Sequence, residues 1–483
     1  MIILLAADWM RSHPTDWGAA MIRMFRHYIP LLGIVLAVTE VILFFVIISV
    51  MHTLSPAGGG GIGAGPLGLW IATVVVLIMS SVGLYNRDVM FHMDAVLIRT
   101  AMTLPLALAA VYCALFLFAA VAGTDFPTRR DVLDTVPGCL LAALVAHGLF
   151  AGLVGSNRLR RRVLVIGSGP MAARVARMAR GGNKQFLVVG FIDCWNDGER
   201  HLLSPRFPLD RLATPQAALD FLRTNEIEEI VVATNERRGL PLAALLECRL
   251  RGIAVHDYAS FCESEAGFVD LDALQPSWLI YSDGFRMDRG RLVLKAMFDY
   301  LIAGLVLMIT LPITVPTAIA IKLTSRGPVF FRQERVGLHG EIFTVLKFRS
   351  MRMDAEKAGP QWAKVNDDRA TMVGRLIRKV RIDEIPQVIN VLRGEMSFIG
   401  PRPERPVFVE SLRKDIPYFD ERHRIKPGIT GWAQVNYPYG ASIEDAKNKL
   451  SYDLYYLKNG GIFLDLVVLF QTIRVVLWPS GAR

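Results

Sequence analysis

Residues 378–405 read RKVRIDEIPQVINVLRGEMSFIGPRPER, and this stretch decides how the C-terminal part of the chain is read. Two adjacent acids, Asp383 and Glu384, stand at its centre, with Arg378, Lys379 and Arg381 just before them. Pro386 suits the first turn of a helix. Ile385, Val388, Ile389 and Leu392 follow at i, i+3, i+4 and i+7, one apolar helical face, and Gly394 is placed to end it. The spacing predicts a short helix with the acid pair at its N-terminus. A helix N-terminus and nearby guanidinium groups attract anions and keep a carboxylate ionised. An ionised carboxylate, a second acid free to hold a metal and a basic phosphate cradle together point to phosphoryl transfer. The plainer reading is an Asp N-cap among solvated charges, and the dipeptide alone favours it.

The surrounding chain supplies context. It has 483 residues, which suits about three domains. It is 52% hydrophobic, with a mean hydropathy of +0.36 and a formal net charge of +10. That charge fits phospholipid headgroups, nucleotides or phosphorylated lipids. No nucleic acid partner is expected, because neither a zinc-ligand array nor a long basic tract is present. The five cysteines are scattered without a CxxC pair, which fits a reducing, cytosol-facing protein. The opening MIILLAA run is too short for a span and lacks the layout of a cleavable signal.

Four long apolar segments precede residue 156: Leu31–Met51, Leu67–Leu84, Met102–Gly123 and Val136–Gly155. Each approaches the ~20 residues of a spanning helix. Their length and low interior charge argue against buried soluble helices. Arg11, Arg23 and Arg26 precede the first, and Arg158, Arg160, Arg161 and Arg162 follow the fourth. The loop from His52 to Pro66 has no Lys or Arg. The positive-inside rule therefore places both ends of a four-helix bundle (31–155) in the cytoplasm, after a cytoplasmic N-terminal segment (1–30).

Residues 160–285 carry a parallel α/β pattern. Arg162–Ile166 is a short buried strand, followed by Gly167-Ser168-Gly169-Pro170-Met171-Ala172, a GxGxxA turn, and a helix. Phe186–Ile192 and Glu229–Thr234 read as further strands. Gly167, Gly169 and Ala172 are thus candidate nucleotide contacts in a Rossmann-like domain. The same pattern also suits a fold kept for structure or assembly. No tyrosine has a lysine four residues on, as a short-chain dehydrogenase or epimerase requires, so bound NAD(P) is not expected.

Tyr300–Ile321 is apolar and long enough to span, but Pro312 and Pro316 interrupt it and basic residues flank both ends. A helix of about 297–322, broken at Pro312 and re-entering the same membrane face, satisfies both constraints. Beyond Asn459, Ile462–Trp478 reads as an interfacial helix.

From Lys295 onward the chain resembles the bacterial sugar transferases, the monotopic phosphoglycosyl transferases acting on polyprenyl phosphate. The matching blocks include Lys295-x-x-Phe298-Asp299, Ser325-Arg326-Gly327-Pro328 and Lys347-Phe348-Arg349-Ser350-Met351. They continue from Asp383-Glu384-Ile385-Pro386-Gln387 to Gly400-Pro401-Arg402-Pro403. Lys426-Pro427-Gly428 to Asn436 and Tyr452-Asp453-x-x-Tyr456 complete the set. The bundle and Rossmann-like region resemble the large members that initiate exopolysaccharide or capsule repeat units. The resemblance implies an architecture: four transmembrane helices, an α/β Rossmann-like domain and a mainly α catalytic domain (293–483) with a re-entrant helix. It implies the bacterial inner membrane, with the catalytic domain on the cytoplasmic face.

The resemblance also implies a reaction. A UDP-sugar, glucose foremost, gives sugar 1-phosphate to undecaprenyl phosphate and releases UMP. Asp383 would be the nucleophile, forming an aspartyl phosphosugar, and Glu384 would hold Mg²⁺. Lys347, Arg349, Arg378, Arg381, Arg402, Gln434, Tyr452 and Asp453 become candidate substrate contacts, Arg381 the least transferable of them. Membrane lipid and a second copy of the chain, in a homodimer, are the other expected partners. Two other classes stay open: an NAD-dependent sugar-nucleotide enzyme, and a membrane scaffold without catalysis.

Overall fold

The apolar runs fold as helices, which satisfy their backbone groups within the segment. The computed structural model describes residues 21–24, 27–54, 65–85, 89, 93–122, 129–155, 160–180, 186–193, 204–234, 237–274, 289–352, 369–438, 440 and 442–477. The opening MIILLAA run lies outside the described residues. The chain divides into two units, one running to Glu265 and one from Ala266.

In the first unit, two short paired strands, β1 (Met21–Met24) and β2 (His27–Pro30), precede the bundle. Helices α1 (Leu31–Leu54), α2 (Pro66–Val82), α3 (Met93–Ala122) and α4 (Arg129–Gly155) pack each on its chain neighbours, and α1 closes against α4. Gly33–Met51 and Met93–Cys113 are long and apolar enough to cross a membrane. Leu67–Val82 and Thr135–Ala151 are apolar but shorter than 18 residues. The third helix begins at Met93, nine positions before the apolar run expected from Met102. The bundle interior also holds one acid. Glu40 is fully buried, its carboxylate 2.9 Å from His147 Nδ1 and accepting a hydrogen bond from the Tyr85 hydroxyl. Partners on other segments make a buried acid tolerable there.

The α/β domain follows. Strands β3 (Arg161–Ile166), β4 (Phe186–Ile192), β5 (Arg206–Phe207), β6 (Glu229–Val232) and β7 (Ala254–Asp257) form one parallel sheet in the order β5-β4-β3-β6-β7. This is the 3-2-1-4-5 order of a doubly wound sheet, reversing direction beside β3. Helices α5 (Pro170–Arg180), α6 (Pro215–Thr224) and α7 (Leu242–Leu250) connect the strands, and α8 (Tyr258–Ala266) follows β7. Their inner faces bury Val175, Leu219, Leu222 and Leu245. The short loop after β3 carries Gly167 at φ 127°, a conformation that favours glycine, and its N–H donates to the Ile192 carbonyl.

The second unit opens with α9 (Arg289–Thr324). The break expected at Pro312 is absent: the helix runs uninterrupted through Pro312 and Pro316. About six turns before the pair and about two after it stay helical, so two missing donors do not end the helix. Its outer surface is apolar, with Leu301 70% and Leu323 80% exposed. Its inner side carries Asp299 and Ala303 into the core.

The hairpin β8 (Phe330–Val336) and β9 (Ile342–Phe348) follows, then α10 (Met372–Lys379), α11 (Gln387–Leu392), β10 (Ser397–Ile399), α12 (Pro406–Asp415), β11 (Gly428–Thr430), α13 (Trp432–Asn436), α14 (Ile443–Asn459) and α15 (Ile462–Leu477). Residues 432–436 form a short helical turn. The core gathers Phe398, Phe419, Trp432, Leu454 and Tyr455. Trp432 is buried, donates to the Gly267 carbonyl at 2.7 Å and stacks on Tyr455, as a core residue does.

Candidate active site

The acid pair lies in one 3₁₀ turn, Ile382–Glu384, just before α11. Arg381 enters that turn at φ 58°, ψ 17°, a left-handed conformation that is strained for a side chain bearing a Cβ. The expected N-cap is not there. Pro386 stands at the N-cap of α11, without a side-chain cap, and Asp383 Oδ1 is sealed from solvent with no hydrogen-bond partner. Gly394, at φ 77°, does end the helix. The buried face differs from the apolar stripe: Gln387, Val388, Asn390 and Val391 face inward, while Leu392 is 41% exposed. Asn390 explains the shift. Its amide donates to the Thr344 carbonyl at 2.7 Å and to Glu395 at 2.6 Å, and accepts from Leu346 N–H at 3.0 Å. Fully buried polar side chains occupy such positions when every group is satisfied.

That pinning sets β9 beside the acid pair. Lys347 Nζ lies 3.0 Å from Glu384 Oε1. Arg402 Nη2 lies 2.8 Å from the same oxygen, and Arg381 Nη1 is 3.7 Å from Oε2. Burial alone pushes the Glu384 carboxyl up, but Arg402 and Lys347 outweigh it and hold the group well below the usual carboxylate range. Asp383 goes the other way. Burial and the adjacent Glu384 charge push it up to about 6, against the partial relief of Lys347, Arg381 and Arg378. The arginines therefore do not hold Asp383 down, as the sequence suggested; its own desolvation is larger. It remains mostly ionised at neutral pH. Burial also pulls Lys347 down, with Glu384 opposing. Arg378 sits half-buried in the last turn of α10.

Arg402 is presented by a tight backbone crossing. β10 and β11 pair in parallel, Ser397 opposite Gly428 and Ile399 opposite Thr430. A Cβ on Gly400 would fall 2.4 Å from the Lys426 carbonyl oxygen, and one on Gly428 2.1 Å from Gly400 N. Only glycines permit this approach, which sets the Pro401-Arg402-Pro403 turn over Glu384. Arg422 supports it from below, donating to the Arg402 carbonyl at 2.9 Å and meeting Asp453 Oδ2 at 2.8 Å.

The other expected contacts divide. Asp453 is 2% exposed and pushed up to about 6 by burial, against the Arg422 charge; it lies behind the turn as Arg422's partner. Tyr452 packs beside Phe268 and Tyr437, at ring-centroid distances of 5.7 and 6.3 Å. Gln434 donates to the Ile429 carbonyl at 3.2 Å, while its Oε1 is buried without a partner. Arg349 is turned to the end of α9, donating to Ser325 and Arg326 carbonyls at 2.9 and 3.0 Å. In the first unit, Gly167 and Gly169 form the loop between β3 and α5, and Ala172 is buried on α5.

Sequence reasoning missed Arg422 and a second polar cluster. Lys295 Nζ stands 3.0 Å from Asp299 and 3.1 Å from Asp465. Asp299 also accepts from Ser397 Oγ and Phe398 N–H, both at 3.0 Å. The Tyr456 hydroxyl donates to Asp465 and to the Ile399 carbonyl. The signal was present: Lys295 and Asp299 are spaced i, i+4 at the head of an apolar helix, where charge needs a partner.

Among the described residues no three His, Cys, Asp or Glu side chains gather as metal ligands. Glu384 Oε2 is the less engaged oxygen of the pair, and Mg²⁺ is commonly held by one or two carboxylates together with substrate phosphates. The donor set fits that mode.

The sequence model of the bacterial sugar transferase family matches residues 290–479. The UDP-N-acetylgalactosamine-undecaprenyl-phosphate N-acetylgalactosaminephosphotransferase of Aeromonas hydrophila is 41% identical over 246 residues, 50% of this chain and 56% of that protein. The undecaprenyl-phosphate glucose phosphotransferase of Komagataeibacter xylinus is 32% identical over 337 residues, 68% of this chain and 61% of the relative. The UDP-glucose:undecaprenyl-phosphate glucose-1-phosphate transferase of Xanthomonas campestris pv. campestris is 31% identical over 352 residues, 70% of this chain and 72% of the relative. The first two matches thus span less than two thirds of the relatives' own lengths. With the acid pair, its cationic surround and the glycine crossing all inside the matched region, the chain belongs to the bacterial sugar transferase family.

Proposed function

We propose that this chain transfers sugar 1-phosphate from a UDP-sugar to undecaprenyl phosphate, with Asp383 as the covalent nucleophile and UMP as the leaving group. One observation carries the reading: a buried, mostly ionised carboxylate stands next to a second one held by Lys347, Arg402 and Arg381. Desolvation leaves Asp383 reactive, and the cations await a diphosphate. Asp383 attacks the sugar-bearing phosphorus, and the bond to UMP breaks with its electron pair going to UMP. An oxygen of the lipid phosphate then displaces the aspartate. Lys347 and Arg402 exchange part of their hold on Glu384 for phosphate oxygens, Arg402 as a fork. Glu384 Oε2 would hold Mg²⁺ with the diphosphate, and the ion's chemistry there is to neutralise charge on the departing nucleotide.

The relatives act on UDP-glucose and UDP-N-acetylgalactosamine by their names, so a screen for UMP release begins with these two donors, undecaprenyl phosphate and Mg²⁺. Wild type releases UMP and traps radiolabelled sugar phosphate on protein, while Asp383→Asn does neither. Full turnover by Asp383→Asn sinks the reading. The apolar face of α9 and the basic residues flanking both its ends support a helix seated in the inner leaflet, with the catalytic unit on the cytoplasmic face. Two copies joined through the α/β domain complete the proposal.

A further inference from the structure

The acid-pair turn and α11 keep helical backbone from Ile382 to Leu392, so Gln387 lies one turn on from Asp383, on the same side. Long helical side chains lean toward the preceding turn, so the Gln387 side chain is directed toward the turn that carries Asp383. Gln387 is 3% exposed, and its Nε2 has no hydrogen-bond partner. Asp383 Oδ1 is likewise buried and unpartnered. A sealed donor and a sealed acceptor thus stand at i and i+4, the spacing at which Gln and Asp side chains bond on a helix. A buried amide donor with nothing to donate to destabilises the fold, and such groups are rare outside working sites. The neighbouring inward residue, Asn390, shows the difference: its amide is fully satisfied and holds β9.

Resting on the covalent reading above, we infer that Gln387 is a further catalytic residue, donating Nε2–H to Asp383 Oδ1 while Oδ2 carries the phosphosugar. Because Oδ1 is sealed, Oδ2 is the oxygen that attacks. In the first half-reaction the Oδ2–P bond forms and the P–O bond to UMP breaks, its electron pair leaving with UMP. In the second, the lipid phosphate oxygen bonds to phosphorus, the Oδ2–P bond breaks, and its pair returns to a carboxylate shared between Oδ2 and Oδ1. No proton is gained or lost by the protein. A donor that engages Oδ1 of the adduct meets the negative charge that develops there as the Oδ2–P bond breaks, so it speeds discharge to lipid and restrains build-up of the adduct.

The test uses the full chain in lipid nanodiscs with UDP-[¹⁴C]glucose, or the N-acetylgalactosamine donor if the screen selects it. For Gln387→Met, nearly isosteric and without a donor, the first-turnover burst of UMP persists. Steady-state transfer to undecaprenyl phosphate falls about tenfold, the scale of one lost hydrogen bond to a charged group, and the trapped adduct rises. Gln387→Asn, whose amide is withdrawn by one methylene, shows the same split and serves if the first variant does not fold. Equal loss of burst and turnover, or loss of neither, overturns the inference. An adduct absent from wild type as well would remove the covalent reading and this inference with it.

Discussion

Asp383 and Glu384 are neighbours in sequence with opposite electrostatic fates. Glu384 is drawn down by Arg402 and Lys347, and Asp383 is pushed up to about 6 by burial and by Glu384 itself. Two acids pushed apart by their surroundings can divide the labour between them, and in the proposed reaction the raised one is the nucleophile. The sign for activity follows directly. Only the ionised form attacks, so kcat/KM is flat at neutral pH and falls tenfold per pH unit below about 6, two units above where an ordinary aspartate would place that limb. A pH profile of UMP release in the free-enzyme regime measures it. An acid limb centred near 4 contradicts the desolvated nucleophile. The sequence showed the pair and its cations; it did not show which acid the cations would hold, because that depends on Asn390 fixing β9 and on two glycines bringing Arg402 overhead.

At the scale of elements, the helix after the acid pair was legible from its period and its terminal glycine, but its buried face was not. Hydropathy ranks Leu392 above Asn390, whereas the fold buries Asn390 because β9 offers it three partners. Hydropathy also hid the inner face of the C-terminal helix, where Asp465 is fully buried against Lys295 and Tyr456. This cluster joins α9, β10, α14 and α15 through one lysine. Lys295→Met removes the cation that stands between Asp299 and Asp465 and leaves two buried carboxylates without it. The expected loss is about 3–5 kcal/mol, the range for breaking a buried ion pair by removing one partner. Thermal unfolding of the detergent-solubilised variant reports it as a large fall in Tm. A change of a degree or less means the cluster is not held together by charge.

At the scale of the molecule, the sequence separated the parts by composition: four apolar runs, a glycine-turned α/β region, then the motif-rich end. The sheet order β5-β4-β3-β6-β7 agrees with that reading of the middle. Span lengths agreed less well, since apolar runs fix where a helix is greasy and not where it starts, as Met93 shows. The second unit holds its own core, from Val269 and Leu271 through Phe398 and Trp432 to Leu464 and Val468, and every cation placed around Glu384 comes from it. The outer face of α9 is apolar, and the helix is long and apolar enough to cross a membrane. A fragment beginning at Ala266 should therefore fold by itself, partition into membranes through α9 and keep UMP release within about tenfold of the full chain. Carbonate extraction of membranes checks the partitioning, and the donor assay checks the activity. A fragment that is extracted as soluble protein denies α9 its membrane role. One that stays in the membrane but releases no UMP makes the bundle and α/β domain part of the catalytic apparatus.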